Sequence, residues 1–219
     1  MSSRVLHGAV LGAVALLGGC IPLHVPGTGE IEPATGSEAV VFGRVRTFDR
    51  GIEIDPWVVE PWELAAEDPI VRLALFQVES RRRRLYPPMG AGGRFAWVLP
   101  AGTYLLYHTP TVEPPFNEPL AAFQVAAGPA PIDLGDLDLL VSVDRPVSRE
   151  LATYTLLSVR ASPPTPESAA WFLAGRPGTL PVRQGAFVVD PELHGLFTNW
   201  SRSACARILA RHGLALRPR

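Results

Sequence analysis

The chain contains no lysine: all 20 of its basic residues are arginine. With 21 acidic residues, the formal net charge is −1 at pH 7. A near-neutral chain is a poor candidate for nucleic-acid binding, which requires an excess of positive charge on one face. The arginine preference, together with the abundance of Ala, Gly and Pro, is typical of codon bias in a GC-rich genome, and it predicts no particular chemistry.

The sequence also has few cysteines and lacks a long apolar run near its start. Its two cysteines, Cys20 and Cys205, exclude a disulfide-rich scaffold. The first apolar stretch, residues 10–17, is too short to span a bilayer, which takes ~20 apolar residues. This stretch follows a polar segment containing Arg4 and precedes small residues. Residues 1–19 therefore have the pattern of a secretory signal peptide.

The signal-like segment ends in Leu17-Gly18-Gly19-Cys20. An apolar residue, two small residues and a cysteine resemble the lipobox of bacterial lipoproteins. The resemblance implies acylation of Cys20 and attachment to a membrane, to which each buried CH₂ contributes ~0.8 kcal/mol. The residue after the cysteine is Ile21 and not aspartate. By the rule that sorts lipoproteins in enteric bacteria, this residue implies routing to the outer membrane, where the protein would face the periplasm or the cell surface. An ordinary signal peptide that happens to contain a cysteine is the alternative.

The remaining chain divides into three parts by composition. Residues 20–37 are rich in Pro, Gly and Thr and predict a flexible tether. Residues 38–145 contain short strand patterns separated by turn signals, which favour a β-sandwich. Residues 146–219 form a C-terminal extension of unassigned role, in which a strand is predicted at 151–159 and helices at 167–173 and 201–212.

Period-two patterns predict the strands of the sandwich. In the first, Val41, Gly43 and Val45 alternate with Phe42, Arg44 and Arg46. The second strand, at 70–79, has apolar residues at both the odd and the even positions. Because these positions lie on opposite faces of a strand, we expect both of its faces to be covered. Further strands are predicted at 95–99, 103–108, 121–126 and 132–143, the last with a split at Gly135 left open. One or two helical turns are predicted at 60–68.

A twelve-residue segment, Gly93 to Tyr104, reads GRFAWVLPAGTY. Glycine, a basic residue, phenylalanine and then Leu-Pro-x-Gly-x-Tyr resemble the signature of carboxypeptidase regulatory-like domains. The resemblance covers about residues 38–145 and implies a transthyretin-like, Ig-like antiparallel β-sandwich, with little information on function. We expect Gly102 to permit a tight turn and the Tyr104 hydroxyl to bond to the backbone.

Cys205 is the residue on which an enzyme hypothesis depends. With Cys20 acylated it is the only thiol, and it could act as a nucleophile beside His194 or His212. Yet it shares an apolar helical arc with Ile208 and Leu209, and lone cysteines on such faces usually pack. We therefore expect a structural thiol and no catalytic residue.

No metal site or cofactor is expected. His108 and His194 lack the spacing of a zinc pair. Asp133, Asp136 and Asp138 suggest calcium, but their spacing is not that of an EF-hand loop. Acids that alternate with apolar strand residues usually face water, and this is our interpretation of all three.

Two exposed-looking segments are candidates for binding. Arg81, Arg82, Arg83 and Arg84 could bind anionic groups such as lipid phosphates or surface polymers, and they equally suit a solvated hairpin end. Trp57 and Trp62 could stack on sugars, and they equally suit burial over the core.

We hypothesise a non-catalytic, lipid-anchored envelope protein that binds or assembles with envelope proteins or surface polymers. A carbohydrate-binding module that uses the two tryptophans is the second hypothesis, and an enzyme built on Cys205 is the third. A fold resemblance alone does not decide among them.

Overall fold

The structure, a computed structural model, describes residues 36–54, 72–85, 89–109, 119–144, 153–174, 181–195, 202–214 and 216. Its strands are β1 (Glu38–Asp49), β2 (Ile52–Ile54), β3 (Arg72–Gln77), β4 (Arg82–Leu85), β5 (Arg94–Pro100), β6 (Gly102–Thr109), β7 (Pro119–Val125), β8 (Ile132–Asp144), β9 (Thr153–Ser162) and β10 (Arg183–Gln184). Its helices are α1 (Pro166–Leu173), α2 (Pro191–Gly195) and α3 (Arg202–Arg211), and a 3-10 turn precedes β5. The predicted signal peptide, the predicted tether and the predicted helical turns at 60–68 lie outside these ranges, apart from residues 36–37 at the end of the predicted tether.

Two long strands, β1 and β8, form the centre of a six-stranded sheet. They pair in parallel, and each carries two strands along its outer edge. β5 and then β2 pair with β1, while β10 and then β9 pair with β8. The predicted mainly-β class is confirmed, and within it the sheet is mixed rather than wholly antiparallel.

A four-stranded antiparallel sheet, in the order β4-β3-β6-β7, packs against the first. The core between the sheets takes alternate residues from each strand, as the period-two patterns predict. It includes Val41 and Val45 of β1, Leu73 and Leu75 of β3, and Trp97 of β5. The two sheets therefore form the predicted sandwich.

Helices from the C-terminal part of the chain cover parts of the outer faces of both sheets. On the six-stranded sheet, Phe172 of α1 stacks on Phe42, with ring centroids 4.1 Å apart. On the four-stranded sheet, α2 and α3 cover the residues of β3 that point away from the inter-sheet core, Ala74 and Phe76, together with Val78 just after the strand. The expectation that β3 is covered on both faces is confirmed. The predicted C-terminal strand and helices are also confirmed, as β9, α1 and α3. β9 and β10 are strands of the six-stranded sheet itself, while the helices pack on the sandwich.

β8 runs unbroken through Gly135, and the irregularity anticipated there is a β-bulge. Gly135 has a left-handed φ of 75°, and the pairing of β8 with β1 shifts register at this level. A side chain on Gly43 would place its Cβ 2.6 Å from the Gly135 carbonyl oxygen. Glycine at position 43 therefore lets the two central strands approach closely, whereas a Cβ on Gly135 would clash with the Ser162 carbonyl oxygen at the end of β9.

Candidate functional site

Cys205 lies in the core between α3 and the four-stranded sheet. Its side chain is fully buried, among residues that include Leu105 of β6 and Leu193 of α2. Burial, followed by the negative charge of Glu79, raises the pKa of the thiol to about 11. At neutral pH the sulfur is therefore a neutral thiol, which is a weak nucleophile.

The histidine nearest to Cys205 in the sequence has another partner. The Nε2 atom of His212 lies 2.8 Å from Oδ2 of Asp190. Within the described part of the chain, no hydrogen bond joins His212 to Cys205. Position 194 belongs to α2, but its side chain lies outside the description. The structure thus does not assemble the Cys–His pair that the enzyme hypothesis requires with His212.

Asp190 is the centre of a polar network that joins α2 to α3. Its Oδ1 accepts the backbone N–H of Glu192 at 2.8 Å, and its Oδ2 accepts Arg211 Nη2 at 3.0 Å and also contacts His212. Arg211 Nη1 also donates to Glu192 Oε1 at 2.9 Å. Burial raises the pKa of Asp190, but the bonds from His212 and Glu192 and the charge of Arg211 outweigh it, so the pKa is lowered.

We did not predict this network from the sequence. The dipeptide Asp190-Pro191 is a helix-start signal, since aspartate favours the N-cap and proline the first helical position. That signal could have located α2. It could not have predicted the residues that Asp190 meets on α3, about twenty positions later.

Asp133 corrects the interpretation that the three β8 acids face water. It is only 1% exposed, because α1 packs over the start of β8. Its oxygens accept the Gly135 N–H at 2.8 Å and the Ser168 hydroxyl at 2.6 Å. Ser168 also forms a reciprocal capping box with Thr165 at the start of α1. Asp133 therefore ties the bulge of β8 to the N-terminus of this helix.

Asp136 and Asp138 are partly exposed and lie beside Arg46 of the neighbouring strand. Arg46 donates to both oxygens of Asp138, at 2.7 and 2.9 Å, and its Nε lies 3.6 Å from Asp136. Burial raises the pKa of Asp136, and the charges of Arg46 and Arg44 only partly offset it. Across the described ranges, no group of three or more His, Cys, Asp or Glu residues is arranged to hold a metal ion.

The four arginines occupy a turn and an edge strand. Arg81 is exposed, has a left-handed φ of 56° and ends the turn at 78–81. Arg82, Arg83 and Arg84 belong to β4, where they pair with Gln77, Phe76 and Leu75 of β3. The predicted hairpin end is thus confined to Arg81, because the pairing of β3 with β4 extends through the other three.

The remaining candidates lie outside the described part of the chain. These are Cys20, Trp57 and Trp62. For position 108, on β6, only the backbone is described. Within the described ranges, none of the helices combines the length and the apolar character needed to cross a bilayer.

Comparison of the chain with models of protein families, with curated proteins and with solved structures finds no match.

Proposed function

We propose that this protein is a lipid-anchored protein of the bacterial cell envelope whose folded part is a non-catalytic binding or assembly module. The observation that carries the proposal is the sequence Leu17-Gly18-Gly19-Cys20 behind a charged and then apolar leader. In this proposal the protein resides on the outer membrane, and its partners are envelope proteins or surface polymers.

The position of the first described strand supports this arrangement. Residues 21–37 separate Cys20 from Glu38, where β1 begins. Ser37 and Glu38 then join the sandwich, where the Ala101 N–H donates to the Ser37 carbonyl at 3.0 Å. A short segment rich in proline and glycine between a lipid anchor and a packed domain is what a tether requires.

The resemblance to carboxypeptidase regulatory-like domains forms part of the proposal. Its motif lies on β5, the following turn and β6. The Tyr104 hydroxyl donates to the Pro100 carbonyl at 2.7 Å, and the ring is 2% exposed. This is the backbone bond expected from the sequence, and it supports assignment of the sandwich to such a domain.

The environment of Cys205 supports a non-catalytic module. A nucleophilic cysteine needs access to substrate and a fraction of thiolate at working pH. Cys205 is buried, and its pKa of about 11 leaves little thiolate at neutral pH. The helices cover only parts of the outer faces of the two sheets, so the loops, the strand edges and the sheet surface around Arg46 and Asp138 are the surfaces through which a sandwich of this kind would bind.

The anchor is tested by metabolic labelling with an alkyne fatty acid in a bacterial host, followed by membrane fractionation. We expect Cys20→Ser to lose the label and to leave the membrane fraction, because Cys20 is the proposed site of acylation. Cys205→Ser is the matched control, and we expect it to label like the wild type. Equal labelling of Cys20→Ser and wild type would refute the proposed anchor.

A further inference from the structure

The strand β9 lies at one side of the six-stranded sheet and is paired along one edge. Its ten residues pair with β8, from Thr153 opposite Asp144 to Ser162 opposite Asp136. Within the part of the chain that the structure describes, no strand or hydrogen-bonded segment lies along its other edge. The backbone N–H and C=O groups that point outward from this edge can therefore pair with a further strand.

Three other strands at the edges of the two sheets are short or covered. β2 has three residues and β4 has four. β7 is covered at its centre, where the Ala122 N–H donates to the Val188 carbonyl at 2.8 Å and the Val188 N–H donates back at 2.7 Å. Proteins commonly protect sheet edges in these ways, because an open edge can pair with another chain. β9 is long, and among the described residues none covers it.

The sequence of β9 also favours pairing. Residues 153–159, TYTLLSV, contain no charged residue, no proline and no glycine, and Tyr, Thr and Val favour strands. The register of β9 shifts between the partners of Leu140 and Val141, which leaves Leu157 as the extra residue of a β-bulge. The Leu157 side chain is 64% exposed. An exposed leucine on a long, uncharged edge is the kind of surface that a partner strand covers.

We propose that β9 pairs antiparallel with β9 of a second copy of this chain, about a two-fold axis at Leu157. A two-fold axis places the same surface on both sides of an interface, so the partner of β9 is an uncharged edge strand of equal length. The six-stranded sheets of the two copies then join into one continuous sheet. This inference goes beyond the proposed function, because it concerns the folded part of the chain and not the anchor.

The charge on β9 is compatible with this arrangement. With Leu157 on the axis, the two copies of Leu157 face each other, and Thr155 faces Val159 of the second copy. Arg160 is the one charged residue in the sequence of β9, and it is exposed. The two copies of Arg160 lie on opposite sides of the axis, roughly 20 Å apart along the strands. This separation exceeds the screening length of about 8 Å at physiological salt, so the two charges repel only weakly.

Association is measured by sedimentation equilibrium on residues 20–219 with Cys20→Ser, so that it does not depend on acyl groups. One pair of strands buries less area than a standard interface, and a bulge weakens pairing at an edge, so we expect a dimer with a Kd in the micromolar range. Leu157→Arg places like charges opposite each other on the axis and should raise this Kd about tenfold or more. The matched control is Ile52→Arg on β2, because Ile52 is 71% exposed, and its Kd should stay within about twofold of the wild type.

Cysteine cross-linking tests the position of the axis. Residues directly opposite in an antiparallel pair have Cα atoms about 4.5–5.5 Å apart, which is within the range of a disulfide. In the Cys20→Ser chain, Leu157→Cys should therefore form a disulfide-linked dimer under mild oxidation. Arg160→Cys, exposed on the same strand, should not, because its copy lies roughly 20 Å away. Cys205 is buried and should not contribute.

Thermal melts of each variant exclude misfolding as the cause of a lost dimer, and Leu157→Val, which keeps an apolar residue that favours strands, should dimerise like the wild type. A chain that stays monomeric up to about 1 mM would overturn the inference. Equal effects of Leu157→Arg and Ile52→Arg, or equal cross-linking at positions 157 and 160, would also overturn it. Fatty-acid labelling of Cys20 decides the anchor independently of these results.

Discussion

The burial of Cys205 predicts a large difference between the reactivity of the native and the unfolded chain. The starting protein is the Cys20→Ser variant, in which Cys205 is the only thiol. In the native state the sulfur lies beneath α3, packed with Ile208 and Leu209. We expect iodoacetamide to modify it slowly in the native state and readily in denaturant.

The magnitude depends on which of two parallel routes dominates. An unperturbed cysteine has a pKa near 8.5, so a pKa of about 11 lowers the thiolate population of the folded chain near neutral pH by on the order of a hundredfold. Reaction can also proceed through an opened state, in which the pKa is no longer raised, and the rate of that route is set by the free energy needed to open α3. We therefore expect direct alkylation of the folded chain to be slower than that of the unfolded chain by on the order of a hundredfold, and any faster native reaction measures the opening of α3.

Mass spectrometry of samples quenched over time gives both alkylation rates.

Two variants test the packing around the thiol. Cys205→Ala should lower the free energy of unfolding by about 1 kcal/mol, as is typical for removing one small buried group. Cys205→Ser should cost more, about 1–3 kcal/mol, if its hydroxyl is buried without a partner. Native alkylation as fast as that of the unfolded chain, together with loss of envelope function in Cys205→Ala at unchanged abundance, would refute the structural interpretation of this thiol.

Two further predictions concern stability. Tyr104→Phe removes the bond to the Pro100 carbonyl and should cost about 1 kcal/mol, whereas Tyr104→Ala also removes a buried ring that stacks on Phe123 and should cost about 3–5 kcal/mol. Thermal melts measure both, and an unchanged melting temperature in the alanine variant would mean that the sandwich register is wrong. The lowered pKa of Asp190 contributes stability above about pH 4 that is lost as the pH falls through the lowered value. The melting temperature of Asp190→Asn should therefore fall less than that of the wild type between neutral and strongly acidic pH; identical pH profiles for the two proteins would contradict this.

Local sequence patterns sufficed for most of the secondary structure. The predicted strand at 95–99 is part of β5, and the predicted helix at 167–173 lies within α1. The apolar residues at both odd and even positions of β3 also predicted that both of its faces would be covered. These predictions succeed because each depends on residues a few positions apart, whose period determines which face of an element is apolar.

The pairing of strands was not accessible in this way. Nothing local indicates that β1 and β8 lie side by side in parallel, since they are separated by more than eighty residues. The need for glycine at position 43 appears only once that pairing places it against the Gly135 carbonyl. Its contribution to the close approach of the strands is therefore a property of the tertiary structure.

The same distinction holds for the candidate sites. The sequence alone contained the pattern around Cys20 that resembles a lipobox, the run of arginines at 81–84 and the apolar arc around Cys205, because each is a pattern of neighbouring residues. Only the tertiary structure buried Asp133, by returning α1 across the start of β8, and joined Asp190 to His212. Such contacts depend on how distant segments pack, and a charged side chain is exposed or buried according to what the rest of the chain places over it.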